Sequence, residues 1–464
     1  MAFATWQYVV FLGLALLATR VMPGSRTRSV ALLVASCAFY AFWDPRFVPL
    51  LLGMAVFSHA IARGIHARAD VQQRKLILGA GVVVNLGVLG LFKYLGFFTR
   101  TWDALVPAGR LPVANLILPV GISFVTFEVL SYMADVYRGD APADSWLDFV
   151  LLVMFFPHLM AGPILKPREF IPQLVSEIDV TYGNIEAAIP QFLLGLVKKA
   201  VIADTLATFV NPVFASPMRF STLTAWLALV AYALQIYCDF SGYSDMAIAS
   251  ARCFGLSIPA NFDVPYASRS ISEFWRRWHI SLMRWFREYV YFPLGGSREG
   301  QAKTYANIMI VFLLSGLWHG AGWTFIAWGV LHGMAMSVER AWSKLTSRWR
   351  SGEPSAMGSM AGWALTMLFV CMAWVVFRSP TFGDALVYFT RLYTPDTLGI
   401  SWVPVSMLIC LPVVVAAHIY RVRGSSLPTL RLGTFWGAFV VTTAVLAVLV
   451  LVPQHSSPFI YFQF

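Results

Sequence analysis

Charge is scarce in this chain of 464 residues: only 12% are Asp, Glu, Lys or Arg, about half of what a water-soluble domain carries. With 58% hydrophobic residues and a mean hydropathy of +0.67, a soluble protein is excluded. Cysteine is scarce too. Cys37, Cys238, Cys253, Cys371 and Cys410 lie far apart, mostly in apolar stretches, without the CxxC spacing of a metal or redox pair. They read as small core residues, and no metal is expected. Also missing are a GxSxG nucleophile elbow, a P-loop, an HExxH helix and a dinucleotide fingerprint. Hydrolase, ATPase, zinc-protease and dinucleotide readings therefore lose their motif support. The apolar start, residues 6–17, lacks a basic leader and a small-residue cleavage site and reads as a retained first span.

What is present is a series of apolar runs, many of about the 20 residues that cross a hydrocarbon core roughly 30 Å thick. They fall near 5–20, 29–43, 47–62, 76–96, 115–134, 147–161, 186–209, 222–250, 305–338, 359–377, 402–419 and 433–452. The expectation is one all-α polytopic membrane domain over 1–464 with about 11–13 membrane helices. The net charge of +11 does not point to nucleic acid, because the basic residues sit in short loops between apolar runs, where the cytoplasmic bias of Lys and Arg places them. Arg20, Arg26 and Arg28, then Arg63, Arg68, Arg74 and Lys75, mark two such loops. Clusters at Arg340 to Arg350 and Arg421 to Arg431 mark two more. Both termini are then expected outside.

The longest polar interruption, 252–303, is dense in Trp and Phe. Arg276, Arg277, Arg284 and Arg287 alternate there with Trp275, Trp278, Trp285 and Phe286, as in amphipathic helices on the cytoplasmic face. A lipid-anchoring face, with the aromatics in lipid, is the plainer reading. The other is a cluster of donors for an anionic acyl donor, since CoA phosphates need several Arg and Lys partners.

Residues 304–338 hold no Asp, Glu, Lys or Arg. That run is too long for one untilted span and is interrupted by WHGAGW at 318–323. Two helices around a break follow, with Gly316, Gly320 and Gly322 permitting a tight turn and close backbone approach. The rise from 305 to 318, roughly 21 Å, puts His319 well inside the membrane. A neutral imidazole there suits a general base, and ionisable residues in membrane helices are expensive and often functional. A core histidine bonded between helices fits equally well, and for His332 that structural role is the better reading. His279, after FWRRW, reads by itself as interfacial. A second polar concentration, QIYCDFSGYSD at 235–245, places Asp239, Ser241 and Tyr243 near membrane depth, either lining a cavity or held in structural ion pairs with the Arg-rich segment.

Three blocks carry a resemblance: PHLMAGPILKPREFIPQL at 157–174, the stretch 235–296 from QIYCDFSGYSD through FWRRWH to YFPLGG, and GLWHGAGWTFIAWGVLHG at 316–333. In order and spacing they resemble the membrane-bound O-acyltransferase superfamily, more narrowly its alginate O-acetylation branch, with the teichoic-acid D-alanylation transporter as a relative. The resemblance implies a ring of tilted helices around a central funnel, with a histidine at its constriction. It makes His319 the catalytic histidine and His279 the second histidine. Asp239, Ser241, Tyr243 and Trp318 become candidates for substrate positioning, and Arg276, Arg277 and Arg284 for donor phosphates.

The implied reaction takes acetyl from a cytoplasmic donor such as acetyl-CoA, with no permanently bound cofactor, across the bacterial inner membrane in which the protein sits, to an exported polysaccharide such as alginate or cellulose. Transfer of D-alanine, transfer to a lipid or protein hydroxyl, and a transporter without bond-making chemistry are the rivals. The chain ends SSPFIYFQF. An aromatic tail is commonly an interfacial anchor, yet this ending at 453–464 resembles the terminal motif of the small partner in the D-alanylation system. That likeness makes Tyr461 a candidate acyl relay, handing acetyl to a periplasmic acetyltransferase partner.

Overall fold

The computed structural model describes residues 3–106, 116–176, 178–347, 355–395, 399–424, 431–451 and 459. Among them the protein is helical, with two isolated bridges and no extended sheet. Among the described residues, five helices are long and apolar enough to cross a membrane: Pro45–His66, Val71–Leu105, Thr222–Cys253, Ala356–Arg378 and Val405–Val422. Lacking water as a partner, a backbone in lipid must satisfy its own polar groups, and the helix does this within one segment. Tyr461 lies outside the described residues.

The chain divides into two compact units. The first comprises Met1–Leu193, Tyr243–Pro259 and Thr429–Ala438. Its helices Trp6–Val21, Ser25–Ala41, Val48–His66, Val71–Leu89 and Ile122–Arg138 start where capping chemistry and turn residues dictate. Asp70 accepts from the Gln72 and Gln73 amides at the head of Val71–Leu89, satisfying donors that a helix start leaves open. Gly81 lies so close to a neighbour that a Cβ there would stand 2.7 Å from Met133 Sδ. The expected helix at 147–161 stops earlier: Trp146–Met154 ends where Phe155 turns away with ψ 107°, and a new short helix, Phe156–Leu159, starts with Pro157 in its first turn.

That break buries a pair for which the sequence offered no role. His158 Nδ1 stands 3.1 Å from Glu128 Oε1, and His158 Nε2 lies 2.6 Å from the Leu152 carbonyl. A carbonyl only accepts, so Nε2 carries a hydrogen.

The second unit comprises Leu194–Gly242, Ala260–Pro428 and Phe439–Phe464. Helices Gln301–His319 and Trp323–Thr346 form a hairpin within it. The uncharged run thus divides at the expected motif, but the glycines do different work. Gly316 is a helix contact rather than a turn residue: a Cβ there would lie 2.2 Å from the Phe325 carbonyl oxygen. Gly329 answers from the other arm, where a Cβ would lie 2.2 Å from the Phe312 carbonyl oxygen. Small residues that let two helices touch backbone to backbone are a common means of association in lipid.

The segment at 252–303 departs from the lipid-facing expectation. It folds into two short helices, Ile271–Arg277 and Ile280–Phe286, followed by a π-helical turn at Arg287–Tyr291. Trp275, Trp278, Trp285 and Phe286 are buried within the unit rather than turned outward to lipid. Trp275 packs against the hairpin, on Phe312 and Trp328, while Trp278 packs on Trp374 of helix Ala356–Arg378 and Trp285 meets Phe286 edge-on.

Candidate active site

His319 is the last residue of helix Gln301–His319, and Gly320 behind it is extended, with φ −162°. The ring is buried, at 4% exposure. Trp318, Trp328 and Phe377 meet it edge-on with centroids 4.9, 5.0 and 5.4 Å away. Each such pair contributes about 0.5–1.5 kcal/mol beyond its area, so the imidazole has little freedom to turn. Phe325, against which Gly320 packs, also touches Phe377.

His279 joins the same cluster through Trp318, with centroids 5.8 Å apart. It is fully buried, and its backbone is left-handed, φ 46° and ψ 54°. For a residue with a side chain, that region costs of order 1–3 kcal/mol and persists only where the surroundings enforce it. The enforcement comes from the strip at 261–263. Ile280 N–H donates to the Asn261 carbonyl at 3.0 Å, and Asp263 N–H donates to the Arg277 carbonyl at 2.9 Å. The Ser281 hydroxyl donates to Asn261 Oδ1 at 2.6 Å. This clamp turns His279 inward, where Phe240 meets it edge-on at 4.7 Å. His279 lies outside the five apolar spans, and burial pushes its imidazole down to about 3, so it is neutral near pH 7.

His332 is buried on the second arm. Trp275 Nε1–H donates to its Nδ1 at 3.2 Å, and Trp328 lies against its ring at 4.8 Å. The three histidines are therefore threaded on tryptophans in the order His279, Trp318, His319, Trp328, His332, Trp275.

Asp239 and Ser241 are buried on helix Thr222–Cys253 on either side of Phe240. Asp239 pairs with Lys199, whose Nζ lies 2.7 Å from Asp239 Oδ1 and 2.8 Å from Asp204 Oδ1. Lys199 belongs to a π-helical stretch, Val197–Ala203, a distortion common at functional sites. Gly242 admits it, because a Cβ there would lie 2.6 Å from the Gly195 carbonyl and 3.0 Å from the Lys199 nitrogen. Tyr243 belongs to the first unit, stacked on Phe3 at 4.5 Å.

Of the three arginines, Arg276 is exposed. Arg277 pairs with Glu273 at 2.9 Å, and Arg284 with Glu288 at 3.3 Å. Sequence reasoning missed Lys199, Trp328 and the Trp275–His332 bond. Lys199 had no signal, whereas Trp328 and His332, four apart after the break, share one helix face and could have been read together.

Residues 116–379 match the family model described as MBOAT, membrane-bound O-acyltransferase family. The chain is 37% identical to a probable alginate O-acetylase AlgI of Pseudomonas putida, covering 98% of this chain and 97% of the relative. It is 42% identical to the corresponding protein of Pseudomonas aeruginosa, covering 84% and 74%. A peptidoglycan O-acetyltransferase of Helicobacter pylori is 39% identical over 76% and 72%. Matched over more than half its length by the family model and nearly end to end by such a relative, this multi-pass membrane protein belongs to the membrane-bound O-acyltransferase family, and it is an O-acyltransferase.

Proposed function

We propose that the protein takes acetyl from acetyl-CoA on the cytoplasmic side of the bacterial inner membrane and passes it toward an exported polysaccharide such as alginate or cellulose. His319 is the general base. It removes the proton of an acceptor hydroxyl as that oxygen attacks the thioester carbonyl, the thiolate leaves, and the proton passes from the imidazole to the departing sulfur. General-base help is worth roughly 10² to 10⁴ in rate, and holding both reactants in a narrow passage supplies much of the remainder. No acyl-serine or acyl-cysteine forms. The observation that carries this reading is the seating of His319 at a helix end, buried and confined by three aromatic rings.

In the same reading His279 is the second catalytic histidine, Trp318 joins the two, and Asp239, Ser241 and Tyr243 position the acceptor. Arg276, Arg277 and Arg284 receive the CoA phosphates, as planar, permanently charged forks suit. The helices form a ring around a funnel open to both faces, with both chain termini periplasmic. Tyr461 accepts acetyl as a phenyl ester and hands it to a periplasmic acetyltransferase partner.

Exopolysaccharide acetyl content and mass spectrometry of the C-terminal peptide test the route together. With Tyr461→Phe, the peptide adduct and polymer acetylation should both disappear. Normal acetylation in that variant removes the relay and leaves the His319 chemistry in place.

A further inference from the structure

Among the described residues, two hydrogen-bond donors in the chain of rings that runs from His319 have no acceptor. Trp275 Nε1–H is only a donor, and it lies 3.2 Å from His332 Nδ1, so Nδ1 must accept. The neutral ring then carries its hydrogen on Nε2. His332 is wholly buried, and among the described residues its Nε2 has no hydrogen-bond partner. One turn earlier on the same helix stands Trp328, also wholly buried, whose indole nitrogen likewise has none. Buried polar groups are almost always satisfied, and an indole N–H cannot accept. Two adjacent orphaned N–H groups therefore call for one kind of occupant, an oxygen acceptor.

The position of these donors says which oxygen. The Trp328 ring touches His332 at 4.8 Å on one side and His319 at 5.0 Å on the other. Ser315, four residues before His319 on the same helix face, is buried and its hydroxyl also lacks a partner among the described residues. Gly316 and Gly329 fix the two arms at this level with their backbones in contact.

We propose that His332 Nε2–H and Trp328 Nε1–H form the oxyanion site of the transferase, receiving the carbonyl oxygen of the acyl thioester while His319 deprotonates the acceptor. The inference rests on the acetyl-transfer reading given above. As the acceptor oxygen bonds to the carbonyl carbon, the C=O electron pair moves onto oxygen and the two N–H groups hold that charge. The pair then returns, the C–S bond breaks, and the thiolate takes the proton from His319. Trp275 is a positioning residue: its hydrogen bond to Nδ1 keeps the His332 hydrogen on Nε2. Donors fixed in place before reaction need no reorganisation when charge develops, and removing one typically costs about 10² to 10³ in kcat.

The test uses the full-length enzyme in nanodiscs with acetyl-CoA carrying a ¹³C label in its carbonyl. His332→Phe should lower kcat by about 10²-fold or more while KM for acetyl-CoA changes by less than about threefold. His332→Gln, whose amide N–H reaches the place of Nε2, should recover at least about tenfold of that loss. Isotope-edited infrared spectra should show the bound carbonyl stretch lowered in the native enzyme and returned toward its free value in His332→Phe. Trp328→Phe should do the same, and it carries the measurement if His332→Phe does not fold.

A bound carbonyl band that is the same in native and variant enzymes overturns the proposal and assigns the donors to an ordered water. So does a kcat within about threefold of native in both Phe variants. Native enzyme that consumes no acetyl-CoA overturns instead the acetyl-transfer reading, and this inference falls with it.

Discussion

Lys199 and Asp239 form a buried ion pair across two helical segments, with Nζ 2.7 Å from Oδ1. The same ammonium holds Asp204 at 2.8 Å, so one cation answers two carboxylates. Removing the shared cation removes both of these contacts at once, whereas removing Asp239 removes one and leaves the Lys199–Asp204 pair in place. Breaking a buried pair costs about 3–5 kcal/mol when a charge is stranded. Lys199→Met should therefore lower the thermal unfolding midpoint in detergent far more than Asp239→Asn does. Equal loss in the two variants would place the stabilising interaction elsewhere.

The gross plan was legible in the sequence because its signals are strong. A hydrocarbon core demands long apolar helices, and the uncharged run with WHGAGW at its middle could hardly fold as one. The Asp239 pairing was not legible, because what brings Lys199 to it is a π-helical distortion in the 197–203 stretch together with the missing Cβ of Gly242. Neither has a hydropathy signature. The direction of the tryptophans at 275, 278 and 285 was misread for a related reason: alternation of Arg and Trp marks a two-faced helix but does not say whether the apolar face meets lipid or protein. His279 pointed inward only once the 261–263 strip supplied the clamp.

Close approach at the hairpin sets a sharp steric test. Gly329→Ala puts a methyl where the Phe312 carbonyl oxygen stands 2.2 Å away, and a backbone atom cannot swing aside. The arms must separate, at about 1–3 kcal/mol for overpacking, and Trp328 moves with them. The expected outcome is a lowered unfolding midpoint together with a loss of acetyl transfer of at least about tenfold. Gly79→Ala, with no atom within 4 Å of the new carbon, should leave both unchanged.

His279 links stability to pH with a definite sign. Its imidazole is pushed down to about 3 by burial, against about 6.5 in an unfolded chain. Below pH 6.5 the unfolded chain takes a proton that the folded one refuses, so this residue's contribution is lost progressively as pH falls from 6.5 toward 3 and is fully present above that window. Unfolding midpoints at pH 4.5 and 7.5 should differ less in His279→Asn than in the native protein. Asn is the apt replacement because it tolerates the left-handed backbone, whereas His279→Val, β-branched at φ 46°, should fail to fold. An equal pH response in native protein and His279→Asn would contradict the assignment.

The most direct measurement is turnover of labelled acetyl-CoA by purified His319→Ala beside the native enzyme, with both shown to be folded by matching unfolding midpoints. The account predicts that the variant loses at least about 10²-fold in kcat, with binding of the donor retained. Turnover within twofold of native in a folded His319→Ala protein would contradict it.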